Sequence, residues 1–221
     1  MTLSTKRRAV VSAVLLLLVF VTISSNPFWR TMYPIRYQQT IQQAADDADV
    51  NPLLIASVIR TESKFHTQDV SHAGAIGLMQ LMPDTAQWMA NRLEAGQSPI
   101  GIGQSPALSP SGSPNAIAPQ STKRDLSEPT FNILLGTWYI RYLISQFHGN
   151  QVAAIAAYNA GPQRVKLWIQ SGIWNGQLET ITAIPVGETR HFVDRVFYNL
   201  TLYTKIYGQQ PGWQASHKND S

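Results

Sequence analysis

The sequence has 221 residues, a formal net charge of +4 and no cysteine. That length allows one ordinary domain with a packed core, but not two large ones. The absence of cysteine excludes disulfide frameworks, thiolate nucleophiles, cysteine-ligated zinc and a lipid-modified cysteine anchor. The basic residues are dispersed, and no basic stripe is interleaved with aromatic residues, so nucleic acid is not an expected partner.

The amino terminus carries a targeting signal. A basic cluster at positions 6–8 precedes an apolar run over 9–23, an order that directs the following chain out of the cytoplasm. No small-x-small cleavage pattern follows, so residues 1–29 are predicted to be a cytoplasmic tip and a single-pass anchor in the cell membrane. The run is short for a span, so a cleaved signal peptide is the alternative. Three aromatic residues are expected at the membrane interface: Phe28, Trp29 and Tyr33.

Helical periodicity predicts an all-α, predominantly helical domain over residues 37–208, on the extracytoplasmic side. A surface helix over 37–50 comes first. Asn51 is suited to cap the second helix and Pro52 to begin it, and this helix ends at Glu62 with its apolar face in the core. No segment shows sustained period-two alternation, so no sheet is expected. The further predicted helices span 82–93, 131–147, 151–158, 163–170 and 188–207.

Three segments depart from the helical pattern. Residues 71–80 are rich in glycine and small residues and predict a compact loop that re-enters the core at Leu78 and Met79. Residues 95–124 are half Gly, Pro or Ser and are predicted to form an insertion, either a tolerated, mobile segment or a lid or wall-contact loop. Residues 209–221 are predicted to be a polar, frayed tail.

Glu62 is the most informative carboxylate in the sequence. It follows Val58 and Leu54 at helical spacing, which places it near the apolar stripe at the carboxyl end of its helix. Desolvation and the negative end of the helix dipole would both raise its pKa, as protonation of a glycosidic oxygen requires. The alternative is a glutamate frayed into solvent. Two amides in apolar contexts, Gln80 and Asn159, either tie loops to the backbone or line a sugar cleft.

Four motifs occur in order: E-S at 62–63, S-H-A-G-A-I-G-L-M-Q-L-M-P at 71–83, A-A-Y-N-A-G-P at 156–162, and I-P-x-x-E-T-R at 184–190. Together they resemble the soluble lytic transglycosylase (SLT) domain family, whose fold is lysozyme-like. The resemblance covers 37–208, with the insertion outside it. It implies that Glu62 is the catalytic acid/base and that peptidoglycan glycan strands are the substrate. The implied substrate-binding residues are Ser71, Gln80, Met82, Tyr158, Asn159 and Glu188.

The roles implied for these residues differ. Ser71 would bind near the acetamido group and Gln80 and Met82 would contact sugar, whereas Tyr158 and Asn159 would border Glu62. Glu188 would support the far wall of the groove. Two positions depart from the family pattern, which often has tyrosine where this chain has Phe192 and proline where it has His72.

The family chemistry implied for Glu62 needs no cofactor. No second motif carboxylate is expected beside Glu62, and the nearest candidates, Asp69 and Asp84, lack an apolar context, which suits a glutamate that acts alone. The resemblance implies that the reaction leaves a 1,6-anhydromuramoyl end. The five histidines show no metal-ligand spacing, so no metal is expected. The alternatives are a goose-type lysozyme-like hydrolase and a non-catalytic peptidoglycan-binding module. The sequence does not predict the oligomeric state.

Overall fold

The computed structural model describes residues 5–23, 26–95 and 125–214. The predicted insertion beyond Ala95 and the tail beyond position 214 lie outside the described residues. The predominantly helical prediction is confirmed, since β pairing in the described ranges is limited to two isolated bridges. The helices are α1 (Thr5–Ile23), α2 (Asn26–Met32), α3 (Gln38–Ala48), α4 (Pro52–Glu62), α5 (Pro83–Glu94), α6 (Pro129–Gln146), α7 (Gln151–Ala160), α8 (Pro162–Gln170) and α9 (Gly187–Tyr207), with a 3-10 helix (Leu178–Ala183) before α9.

The start signals of α4 act as predicted. The side chain of Asn51 accepts a hydrogen bond of 2.8 Å from the backbone N–H of Leu53, and Pro52 occupies the first helical position. This cap satisfies one of the N–H groups that a helix start leaves free. The beginning of α4, and therefore the rotation that decides where Glu62 points, is fixed by local sequence.

Helix α4 is the central element of the core. Every residue from 52 to 59 is buried, and α4 packs against α9 and α3. Helix α6 packs against α3, α5 and α7. The predicted surface helix α3 buries Ile41 and three alanines on one face and exposes the other, as its pattern predicts. Glu62 therefore lies at the end of a helix that protein surrounds on all sides.

The packed core extends past both ends of the predicted 37–208 interval. Ile35 is 4% exposed and Trp213 is 3% exposed, and the Trp213 ring lies 5.7 Å from that of Tyr207. The prediction of a frayed tail is therefore wrong for its first residues, because an aromatic side chain docks them on α9. The expected interfacial aromatics Trp29 and Tyr33 also pack against the core.

Helix α1 has a different character from the rest of the molecule. Its apolar side chains are exposed all round, from Val10 at 63% to Phe20 at 68%. In the described chain, no single helix is long and apolar enough to cross a membrane. The bent pair formed by residues 7–23 and α2, with an angle of 67° between them, meets the requirement by length and composition alone.

Candidate active site

Glu62 occupies the last turn of α4, where the buried stretch of the helix meets the surface. Desolvation by burial is the largest cause that raises the pKa of Glu62, and the negative charge of Glu188 is the second; together they raise it to about 8. The carboxyl end of α4 adds a negative dipole that acts in the same direction. Glu62 is therefore protonated near neutral pH, and the alternative of a solvent-frayed glutamate is not observed.

The residues on either side of Glu62 hold the end of α4 in place. The Ser63 hydroxyl donates a hydrogen bond of 2.8 Å to the carbonyl of Leu78, and Ser63 is 2% exposed. The side-chain amide of Asn199 on α9 donates a bond of 3.1 Å to the Thr61 hydroxyl. The catalytic candidate is thus fixed between the loop that follows α4 and helix α9.

The loop over 71–81 is tied to itself by the polar residues that the sequence singled out. The Ser71 hydroxyl accepts a bond of 2.9 Å from the N–H of Ala75. The Gln80 amide donates bonds of 2.9 Å to the carbonyls of Asp69 and Gly77. Gln80 has φ of +46°, a left-handed conformation that needs such support in a residue other than glycine. Of the two roles considered for Gln80, its amide nitrogen serves the loop.

Asn132 on α6 supports this loop from beneath, a role that sequence reasoning missed. Its side-chain oxygen accepts a bond of 2.8 Å from the N–H of Met79, and its nitrogen donates to the carbonyls of Ile76 at 3.0 Å and Leu126 at 2.8 Å. Asn132 is fully buried. An asparagine in an apolar helix is a signal that could have identified it, because a buried amide must find partners.

Tyr158 and Asn159 close the site from α7. The Tyr158 hydroxyl donates a bond of 2.7 Å to the carbonyl of Met79, and burial followed by the charge of Glu62 raises the pKa of Tyr158. The Asn159 side-chain oxygen accepts a bond of 2.6 Å from the hydroxyl of the buried Thr189. Tyr158 is therefore bonded to the loop and lies close enough to Glu62 to be affected by its charge, while Asn159 is tied to the start of α9.

Glu188 corrects the expectation that no second carboxylate lies near Glu62. It lies in the first turn of α9 beside Thr189 and is exposed. Its charge, rather than that of Asp69 or Asp84, raises the pKa of Glu62. The two glutamates are 126 positions apart in sequence numbering, so no local pattern in the chain could bring them together.

The remaining predicted residues take up separate positions. Met82 precedes α5 and is 44% exposed. Phe192 is buried, and its ring stacks on Tyr158 at 6.3 Å, so its role is packing. The hydrogen bonds of the described residues do not join Ser71 or Met82 to Glu62. Within the same residues, no three His, Cys, Asp or Glu side chains converge to form a metal site.

Much of this chain is similar in sequence to known proteins. A family model described as the transglycosylase SLT domain matches residues 39–180. The soluble lytic murein transglycosylase of Escherichia coli is 28% identical over 182 residues, covering 81% of this chain and 24% of the relative. The membrane-bound lytic murein transglycosylase C of Histophilus somni is 30% identical over 133 residues, covering 57% and 31%. This chain spans about a quarter of the length of the soluble relatives.

Solved structures share the fold as well. The 70 kDa soluble lytic transglycosylase of Escherichia coli has a TM-score of 0.67 and 26% identity, with 86% of this chain and 27% of that chain covered. The lytic transglycosylase Slt of Pseudomonas aeruginosa, described as an inactive Glu-to-Gln mutant, has a TM-score of 0.63 and 29% identity, covering 83% and 26%. With the family model matching more than half of its residues, this chain belongs to the transglycosylase SLT domain family.

Proposed function

We propose that this protein is a lytic transglycosylase that cleaves the β-1,4 bond between N-acetylmuramic acid and N-acetylglucosamine in peptidoglycan. The observation that carries the proposal is Glu62, a carboxyl group that burial and Glu188 keep protonated up to a pH of about 8. The names of the relatives support the substrate, since they are described as murein transglycosylases. The Pseudomonas structure supports the choice of a glutamate as the acid, since a Glu-to-Gln mutant of that protein is described as inactive.

The first step is proton transfer from Glu62 to the oxygen of the scissile bond. Protonation lets this oxygen leave with the bonding electrons, and positive charge develops at the anomeric carbon. The acetamido group of the same sugar donates electron density to that carbon. Ionised Glu62 is electrostatically unfavourable beside Glu188, and this favours the return of a proton to it.

The second step restores the proton. Ionised Glu62 removes the proton from the primary hydroxyl of the same sugar, whose oxygen then bonds to the anomeric carbon. The product is a 1,6-anhydromuramoyl end, Glu62 is protonated again, and no water is consumed. The substrate-binding roles proposed for Ser71, Gln80, Met82 and Asn159 accompany this mechanism, as does the role of Tyr158 beside Glu62.

A hydrolase is the second candidate, and one observation favours it. Glu188 provides a second carboxylate whose charge reaches Glu62, and most glycosidases use two carboxylates. If Glu188 activated a water molecule, the product would carry a reducing end. A non-catalytic wall-binding module is the third possibility, and it would leave Glu62 dispensable.

We also propose how the segments of the chain are placed relative to the membrane. Residues 1–29 would anchor the protein in the cytoplasmic membrane, the domain would lie on the extracytoplasmic side, and 95–124 would be an insertion into it. Support comes from the exposed apolar surface of α1, and from a relative described as membrane-bound. Trp29 and Tyr33, which pack on the core, would hold the domain close to the anchor.

The test is product analysis. Purified peptidoglycan is digested with the full chain and with Glu62→Gln, and the released muropeptides are identified by mass spectrometry. We expect anhydro ends from the wild type and a loss of roughly 1000-fold in rate for the variant, the size of effect typical for a general acid. Glu179→Gln, on the exposed part of the 3-10 helix, is the control and should keep full activity. Reducing ends would instead establish the hydrolase.

A further inference from the structure

A row of aromatic rings runs from the candidate active site along α6 to α5. The Tyr158 ring lies 5.4 Å from that of Tyr139, which stacks on Tyr142 at 6.3 Å. Tyr142 meets Trp88 edge to face at 4.8 Å. None of the sequence motifs includes Trp88, Tyr139 or Tyr142. We call Tyr139, Tyr142 and Trp88 the aromatic row.

The outer end of the row is its exposed part. Tyr139 and Tyr142 are partly exposed, and Trp88 is 37% exposed at the outer end. Helix α5 has a narrow buried face formed by Ala86 and Met89, and a buried face is where a large apolar side chain is normally found. The structure instead places the largest apolar side chain of α5 on the surface, in contact with rings that lead to the active site.

The outer end of the row is held in a fixed geometry. The Arg92 guanidinium lies 5.2 Å from the Trp88 ring, one helical turn further along α5, and Tyr142 packs on that ring from α6. A side chain fixed in this way loses little conformational entropy when a ligand binds it. Trp88 is therefore held in place by Arg92 and Tyr142 and is not a freely rotating side chain.

We propose that Trp88 and Tyr142 form a stacking platform for sugar rings of the glycan strand, away from the bond that Glu62 cleaves. Pyranose rings present C–H faces that pack on aromatic rings, and binding sites are commonly lined by aromatic side chains with a few polar groups. Ring contacts link Trp88 to Tyr158 through Tyr142 and Tyr139, so a strand that extends from Glu62 along this row would meet both sites. This inference rests on the proposed function. It adds a preference for length: the protein binds long glycan strands more tightly than short ones.

Binding without turnover tests the platform separately from the chemistry. Glu62→Gln in the full chain is titrated with peptidoglycan glycan fragments of one and of four disaccharides, and the Kd is measured by calorimetry. The double variant Glu62→Gln, Trp88→Ala should bind the long fragment about tenfold more weakly than Glu62→Gln alone, the loss expected for one aromatic stacking contact. Binding of the short fragment should change by less than about twofold, because it occupies only the site around Glu62.

Two further variants keep the result interpretable. Trp88→Phe retains an aromatic face and should restore most of the affinity for the long fragment. Tyr198→Ala removes another exposed aromatic ring, 64% exposed on α9 and outside the aromatic row, and should leave both Kd values unchanged. Equal loss for long and short fragments, or no loss for either, would overturn the platform while leaving the transglycosylase intact. Failure of Glu62→Gln itself to bind any fragment would overturn both proposals.

Discussion

The end of α4 and helix α1 depart from the usual distribution of polar and apolar groups in opposite ways. At the end of α4, a carboxyl group is withdrawn from water and the pKa of Glu62 rises to about 8. In α1, side chains such as Leu16, 70% exposed, present apolar surface to water. Each arrangement is unfavourable for a soluble domain, and each supports a role proposed above: acid chemistry at the end of α4 and membrane attachment at α1.

The two regions also differ in how they are held. The end of α4 is fixed by directed hydrogen bonds, from Ser63 to Leu78 and from Asn199 to Thr61. Helix α1 is joined to α2 by a hydrogen bond of 2.7 Å from the Trp29 indole N–H to the carbonyl of Ile23, and its exposed apolar side chains have the non-directional tendency of apolar groups to leave water. Changes in the first region should therefore alter activity or stability residue by residue, whereas changes in the second should alter only where the protein resides.

The largest effect is expected from charges placed in α1. Leu16→Arg together with Phe20→Arg should cost roughly 6 kcal/mol for insertion into a bilayer, since each arginine near the centre of a span costs about 3 kcal/mol. The protein should move from the membrane fraction of cells to the soluble fraction. Leu167→Arg, which charges an equally exposed leucine on α8, is the control and should leave the distribution unchanged. Retention of the double variant in the membrane fraction would contradict the proposal that α1 anchors the protein in a membrane.

The next largest effect is expected at Asn132. Replacement by alanine leaves the N–H of Met79 and the carbonyls of Ile76 and Leu126 without their partner. Such buried losses should lower the free energy of unfolding by roughly 3 kcal/mol, as measured by urea denaturation of the full chain in detergent. Asn91→Ala is the control, because that amide is exposed on α5 and accepts a hydrogen bond from the exposed side chain of Gln87. Equal stability of the two variants would show that the loop does not depend on Asn132.

Glu62 should make stability depend on pH. Its pKa is about 8 in the folded protein and near 4.5 in the unfolded chain. Between those values the folded protein binds more protons, so the free energy of unfolding falls as pH rises. Glu62→Gln removes this dependence and should be more stable than wild type at pH 8 by roughly 2 kcal/mol, since partial exposure to solvent reduces the full effect. Parallel stability curves over pH 5 to 8 would contradict the burial argument.

The smallest effect is expected from Glu188→Gln. Activity requires protonated Glu62 and should fall as pH rises through about 8. Loss of the Glu188 charge lowers the pKa of Glu62, so the alkaline limb of the activity profile moves to lower pH. The displacement should be less than about one pH unit, because desolvation is the larger cause. Glu179→Gln should leave the alkaline limb at its wild-type pH. A shift of the limb to higher pH in Glu188→Gln would contradict the conclusion that the Glu188 charge raises the pKa of Glu62.

Sequence reasoning succeeded where structure depends on local signals. The Asn51 cap and Pro52 fix the start of α4, and the apolar spacing that follows fixes which face is buried, so the position of Glu62 was predictable. The loop residues Leu78 and Met79 are fully buried as predicted. These features depend on neighbours within a few positions of the chain.

The misses come from contacts between distant parts of the chain. Glu188 reaches Glu62 across the fold, and Asn132 bonds a loop more than fifty positions earlier. The docking of Trp213 on Tyr207 and the aromatic row from Tyr158 to Trp88 likewise depend on how helices pack. Helical periodicity gives the buried face of each helix, but it does not say which side chains of two helices meet.

A direct titration tests whether the fold keeps the Glu62 carboxyl protonated near neutral pH. The carboxyl carbon of glutamate is labelled with ¹³C in the full chain, the Glu62 signal is assigned by its loss in Glu62→Gln, and its chemical shift is followed from pH 3 to 10. The account predicts a midpoint at about 8. A midpoint near 4.5, the ordinary value for glutamate, would contradict it and remove the physical basis for Glu62 as the acid.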